Sequence, residues 1–394
     1  MLSWTPLVCF TVILLIYCLS EYLADKTHGY ISYMVFAAVI SLGLFWSGLV
    51  PTTLAVDSTL MATLSAFGVA MLIVNMGTTI DLETLLSEWK TVLVCCVALV
   101  GLGVLAFTAG SALFGKEYAL CAAPPIAGGL IAYQIVAEQA AAAGRLDLAG
   151  YAALIMGLQS IIGMPVASFC LKKELAKMHK DGRLSSGSEK KSTLKLPEMR
   201  LFKTPSPVFD SPTFKVAKLG IAAILALMLT NLTGGKLNVN VSYLIVGVVL
   251  ARVNFLQKNS LQAAGMYTVC IFSMYALTIN GLAGVSPTDL LNMLVPMAGM
   301  FAIGVAGIAL GSVICGKLVG YSPLISIAVG MTALFGYPGT EILTNEVCNG
   351  MEGFTAEEKS AALDFVMPKM IVGGFTTVTI ASVVFAGIIA PMIF

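Results

Sequence analysis

Residues 121–144 read CAAPPIAGGLIAYQIVAEQAAAAG, and residues 328–350 read AVGMTALFGYPGTEILTNEVCNG. Both stretches are rich in small and apolar residues, both are interrupted by Gly and Pro, and both carry polar side chains near their middles. Pro removes a helical hydrogen bond, and Gly lets the backbone leave the helical region. In lipid, opened backbone is tolerated only where it is buried in protein or lines a cavity. The two stretches therefore read as re-entrant hairpins or broken helices within an all-α integral membrane protein.

Composition supplies the lipid. Of 394 residues, 58% are hydrophobic and 11% charged, with a mean hydropathy of +0.92. So few charges could not coat a water-facing globule of 41.3 kDa, which makes lipid the solvent for most of the surface. The formal net charge of +1 and the lack of a basic-aromatic stripe give no sign of nucleic acid. The nine cysteines lie mostly in apolar runs with no CxxC pair, so they read as buried free thiols. His28 and His179 are the only histidines and sit in polar connections, which leaves little for a catalytic or transition-metal site. No HExxH, no P-loop and no nucleophile–histidine pattern is present, so the chain reads as no enzyme. The N-terminal MLSWTPLVCFTVILLIYCL lacks the basic start and cleavage site of a signal peptide and reads as a first span.

Outward from the two hairpins, apolar segments of membrane-crossing length run roughly 5–22, 30–50, 59–80, 90–114, 118–143 and 146–171. A second set runs 215–233, 240–256, 262–284, 289–316, 322–347 and 361–392. The halves superimpose at an offset of about 205, which places Asn75 on Asn280. At 207, Gln134 falls on Glu341 and Glu138 on Asn345. With the fifth segment of each half entering without crossing, each half spans five times. The second half is then inverted relative to the first, and the chain crosses ten times. The expected units are a first repeat at 1–172, a flexible cytoplasmic linker at 173–213 and a second repeat at 214–394.

Charge agrees with that topology. Twelve of the 22 basic residues fall between Lys172 and Lys218, which makes the linker cytoplasmic by the positive-inside rule. Lys26, Lys90, Arg252, Lys258, Lys317 and Lys359 then also lie inside. Lys116, Arg145 and Lys236 lie outside, with Lys369 in a span. Both termini are external, and the membrane is the inner, plasma one.

Paired discontinuous segments in matching places of two halves are the best sequence pointer to a transporter's site. The open helix ends offer N–H groups to anions and carbonyls to Na⁺. The candidate substrate-binding residues are Gly128, Gly129, Gln134, Tyr337, Gly339, Thr340, Glu341 and Asn345. The candidate ion-binding residues are Asn75, Asn280, Gln134 and Glu341, whose oxygens suit a hard cation. An acid within a span is costly and usually functional, and Glu341 is the clearest instance.

The chain resembles the bacterial sodium–glutamate symporter family at NMGTTIDLETL (75–85), AGGLIAYQ (127–134), FGYPGTEILTNEV (335–347) and FVMPKMIVGGF (365–375). The resemblance implies a scaffold domain, a mobile transport domain carrying both hairpins, Na⁺-coupled uptake and a homodimer. It departs from the family where Gly128-Gly129 runs into Leu130, Ile131 and Ala132 rather than a polar, His-containing stretch. The expected function is Na⁺-coupled symport of a small organic anion or amino acid by an elevator mechanism. The alternatives are another carboxylate or bicarbonate on the same fold, or a proton-coupled exporter or antiporter, or a passive channel.

Overall fold

The computed structural model describes residues 3–26, 33–79, 82–184, 202, 210–234, 237 and 239–394, and these are helical with no strand among them. Of the expected linker, residues 185–201 and 203–209 lie outside the described residues, as does Lys236. The first half comprises α1 (Pro6–Lys26), α2 (Tyr33–Trp46), the one-turn α3 (Leu54–Asp57), α4 (Leu60–Thr79) and the short α5 (Leu82–Ser87). It continues with α6 (Trp89–Leu105), which runs through a π-helical turn, Ala106–Gly110, into α7 (Ser111–Phe114). Then come α8 (Lys116–Ala127), α9 (Leu130–Ala142) and α10 (Leu146–Lys180). The second half comprises α11 (Pro212–Leu232), α12 (Val239–Arg252), the one-turn α13 (Ser260–Ala263), α14 (Tyr267–Ala283) and α15 (Pro287–Val319). It ends with α16 (Pro323–Met331), α17 (Gly336–Asn349), α18 (Ala356–Phe375), a π-helical turn at Thr376–Ala381, and α19 (Ser382–Ile389).

Among the described residues, six helical stretches are long and apolar enough to cross a membrane: those beginning at Pro6, Trp89, Leu146, Pro212, Pro287 and Ala356. The chain is accordingly a multi-pass membrane protein. Shorter apolar helices include α2 and α12, at 14 residues each. The outward faces are apolar where lipid would lie: Val295 and Leu318 of α15 are 69% and 84% exposed. Cys18 and Cys96 are also exposed, whereas the sequence reading has the thiols buried.

Local rules set the helix starts. Helices α11, α15 and α16 each begin Ser-Pro, with Ser211, Ser286 and Ser322 accepting from a first-turn amide at 3.3, 3.1 and 3.2 Å. The hydroxyl satisfies one open donor, and Pro gives up an N–H that would have had no partner. At the other extreme, α10 outruns the expected boundary at 172 and stays helical to Lys180. Its last turn holds Lys177, His179 and Lys180, and positive charge there complements the carbonyl end of the helix dipole.

The helices pack as two groups. In one, α4 lies against α12 and α14, with α1, α2 and α11 around them. In the other, α6 lies against α15, flanked by α8, α10 and α16 to α19. The groups meet chiefly where α10 touches α14 and α2, where α9 touches α14, and where α12 touches α19. In lipid, helices gain little from the hydrophobic effect and associate by close packing of small residues. A Cβ on Gly101 would overlap the Gly307 carbonyl, and one on Gly311 would overlap the Val97 carbonyl. Gly77 and Gly247 play the same part between α4 and α12.

Contacts at the helix ends fix directions. Helices α6 and α15 are antiparallel, since Phe114 meets Gly299 while Val97 meets Gly311, and Thr91 bonds Tyr321 at 2.9 Å beyond them. Helix α10 starts beside the α14–α15 connection, where Leu146 meets Gly284 and Gly150 meets Val285. That connection is only Gly284, Val285 and Ser286, and Trp46 Nε1 of α2 donates to the Val285 carbonyl at 2.9 Å. At the far end of α10, His179 Nδ1 lies 3.0 Å from Glu358 Oε1 in the first turn of α18. The molecule thus has a connection end, near Gly284, and a linker end, near His179.

If glycine packing sets the α6–α15 distance, Gly307→Val will lower the melting temperature of the purified protein markedly, by about 1–3 kcal/mol of overpacking or more. Gly43→Ala, where the added Cβ meets nothing within 4 Å, will leave it unchanged. Equal behaviour of the two variants would contradict the packing account.

Candidate functional site

The first break is built by four residues. Pro124 and Pro125 fall in the last turn of α8 and cannot donate to the carbonyls of Leu120 and Cys121. The chain then leaves the helix through Gly128 at φ 107° and Gly129 at φ 89°, backbone that a Cβ would strain. Helix α9 restarts at Leu130 with Gly129 as its cap and no side chain to accept its first amides. In the second break, α16 tightens into a 3₁₀ turn at Thr332–Leu334, Phe335 turns out at φ −140°, and Gly336 at φ 55° starts α17. Pro338 falls in that first turn, where helical amides have no partner to lose. Gly339 lies inside α17 and packs near Met164 and Phe335, so Gly336 rather than Gly339 makes the break.

Helices α8 and α9 pack on each other as a hairpin, whereas α16 and α17 splay from the turn between them, α16 onto α15 and α17 onto α18. Arg145, at the start of α10, bonds Glu117 in the first turn of α8, so both bases of α8–α9 lie at the connection end. Arg145 also holds Asp147 through two bonds of 2.9 and 2.8 Å, and these bonds raise the guanidinium pKa further. At the linker end, Tyr321 precedes α16, and Lys359 Nζ donates to the Asn349 carbonyl at the end of α17 at 2.8 Å. The two pairs of arms enter from opposite ends and their breaks meet. A Cβ on Gly128 would overlap the Ala333 carbonyl, one on Gly129 the Val378 carbonyl, and one on Gly336 the Val378 side chain. Val378 belongs to the π-helical turn Thr376–Ala381, and such turns are frequent at functional sites. Three irregular backbone segments therefore share one place.

Some of the buried polar atoms without a hydrogen-bond partner lie beside it: Gln159 Oε1, Ser160 Oγ, Thr340 Oγ1 and Thr376 Oγ1. Thr340 packs on Gly374, two residues before Thr376. Gln159 and Ser160 lie one turn before Gly163, which packs against Leu334 and Phe335 at the second break. Each such atom costs on the order of 1–3 kcal/mol if nothing fills its valence. With these four beside the meeting point of two open helix ends, that meeting point is the candidate site.

Among the residues singled out from sequence, Gly128, Gly129 and Thr340 lie at or beside the crossing, and Gln134 lies about a turn beyond it on α9. Glu341 and Asn345 share a half-buried stripe of α17 at i, i+4 spacing, next to the buried Thr340 and Thr344. The side chain of Tyr337 lies outside the described residues. Asn75 and Asn280 are not brought to the crossing, because α4 and α14 belong to the other helix group. Asn75 is occupied: its Oδ1 accepts from the Leu261 amide at 2.8 Å, and its Nδ2 donates to Gln262 Oε1 at 2.9 Å. These two bonds pin the turn of α13. Asn280 is half-buried on α14.

The sequence reading missed Gln159, Ser160 and Thr376. The available signal was the run TTVTIAS (376–382) inside a span. Hydroxyls there are easily discounted, because Thr can bond the carbonyl one turn back. Thr377 does so, donating to Gly373 O at 2.8 Å, whereas Thr376 does not. An open cavity of about 320 Å³ between α10 and α15 is lined by apolar side chains, Leu158, Ile161 and Phe301 among them, and has nothing to hold a charged solute.

Fold and site define an all-helical multi-pass membrane protein with paired helix breaks in its interior. Comparison with protein-family models and with curated proteins yields no match.

Asn75→Ala is expected to destabilise the purified protein by roughly 1–3 kcal/mol, the cost of stranding the Leu261 amide, without changing any ion dependence of its melting. A changed ion dependence would return Asn75 to the site. Cysteines placed at Thr340 and Thr376 in a background lacking Cys18 and Cys96 should react with small aqueous thiol reagents. Inertness of both in every ligand state would mean that the crossing is sealed packing.

Proposed function

We propose that the protein is a secondary active transporter, an Na⁺-coupled symporter of a small organic anion or amino acid. The observation that carries the reading is the meeting of two helix breaks, with buried polar atoms without partners beside it. Helix starts at Leu130 and Gly336 present amide groups to an anion. Carbonyls freed at the ends of α8 and α16, with the hydroxyls of Thr340 and Thr376, suit a hard cation. Supporting the repeat are the antiparallel α6 and α15, hairpins entering from opposite ends, and α10 and α18 running in opposite directions. On this reading the halves are inverted repeats and the hairpins re-entrant.

The group containing α6 to α10 and α15 to α19 carries the site and moves. The group around α4, α12 and α14 stays as scaffold and, as the resemblance to the sodium–glutamate symporters implies, dimerises. The basic residues between Lys172 and Lys218 set the linker in the cytoplasm and both termini outside, in the plasma membrane. Coupling follows if the crossing is loaded with ion and solute together before the mobile group shifts. Na⁺ is the coupling ion.

The test is a thermal-shift scan of detergent-purified protein against carboxylates and amino acids, in Na⁺ and in K⁺. A ligand that binds only the folded protein raises its apparent stability. Symport predicts solutes that stabilise selectively and only with Na⁺. Stabilisation indifferent to Na⁺ would overturn sodium coupling, and no stabilisation by any member of either class would overturn the substrate class.

A further inference from the structure

Beyond the crossing, α9 carries a second constellation. Gln134 is 1% exposed, and its Nε2 donates to Glu138 Oε1 one turn on, at 3.0 Å. The amide orientation follows from that bond, because turning it over would set its oxygen against a carboxylate. Gln134 Oε1 is consequently left buried with no donor, on the same amide that touches the acid. Glu138 is half-buried and lies within electrostatic reach of Tyr243 on α12 and of Tyr133. Helix α12 belongs to the other helix group, so the pair looks across the boundary between the groups.

We propose that Gln134 and Glu138 form a monovalent-cation site at this boundary, separate from the crossing of the breaks. The site offers the open amide oxygen, a hard ligand suited to an alkali ion, with the carboxylate charge one hydrogen bond away. Protonation is a poorer answer to the same problem. A proton on Glu138 would neutralise the acid and leave the Gln134 oxygen as orphaned as before, whereas a cation held by that oxygen, with the amide still donating to Glu138, answers the oxygen and lies near the charge of the acid. The matching residues of α17, Glu341 and Asn345, repeat the acid–amide spacing with the order reversed, so the two hairpins differ in what they hold. A cation that lies on the boundary is bound or released according to how the groups stand against each other. That use of the site rests on the transport reading, whereas the binding itself does not.

The test measures binding without transport. Full-length protein in detergent is melted in NaCl against choline chloride at constant ionic strength and without organic solute. Wild type should be stabilised by Na⁺, and Glu138→Gln and Gln134→Leu should each raise the half-saturating Na⁺ concentration about tenfold or more, the effect of losing the ligand or the charge beside it. Glu138→Asp, which keeps the charge, is the substitute if either variant fails to fold and should give an intermediate shift. An unchanged Na⁺ response in these variants overturns the site, as does acid reproducing the stabilisation in choline. Absence of solute uptake alongside an intact, Glu138-dependent Na⁺ response would overturn the transport reading and leave the site standing.

Discussion

In hydrocarbon, a backbone amide or carbonyl finds no water, and every one left open must be answered from within the protein. The architecture follows from two places where that demand is relaxed on purpose. At Gly128-Gly129 and at Leu334 to Gly336 the helix stops with its ends uncapped by any side chain. Neither break could face lipid, and each is covered by the other and by the π-helical turn around Val378. Because each break covers the other, the two come to one place inside the helix group. The rest of the helix group serves to hold them there.

Holding them requires unusual closeness. Ala333 and Val378 can approach the first break only because Gly128 and Gly129 have no side chains, and Gly374 does the same for Thr340. The same device recurs in α6 against α15, where glycines bring backbone onto backbone. Such contacts work over a narrow range of distance, so the second group is internally stiff. At the boundary between the groups the same device appears where Gly150 packs on Gly281 and Val285, and Trp46 bonds the Val285 carbonyl beside it.

Much of this was legible in the residues. Breaks in CAAPPIAGG and ALFGYPG were visible because Pro and Gly act locally, through the residue's own φ and N–H. The basic run from Lys172 was visible because charge needs no fold to be counted. The roles of Asn75 and Thr376 were not visible, and for one reason. Whether a polar side chain in a span is satisfied depends on which helix lies across from it, and spacing along one helix says nothing of that. That Asn75 holds the amide of Leu261 shows only when α13 is placed beside α4. Thr376 looks like a packing hydroxyl until its carbonyl partner proves to be missing. Proline at position 338 misleads in the same direction, drawing attention to Gly339 when the turn is made at Gly336.

The connection Gly284–Val285–Ser286 sets a mechanical limit. Three residues span at most about 10 Å when fully extended, and Trp46 is bonded to the middle one. At that end of the molecule the two groups are on a short leash. At the opposite end two stretches join them: the nine residues from Ile80 to Glu88, which include α5, and the 31 residues from Asp181 to Ser211. The shorter of these sets the limit there, so both ends of the molecule are tethered, and relative displacement of the groups is bounded by three residues at one end and nine at the other.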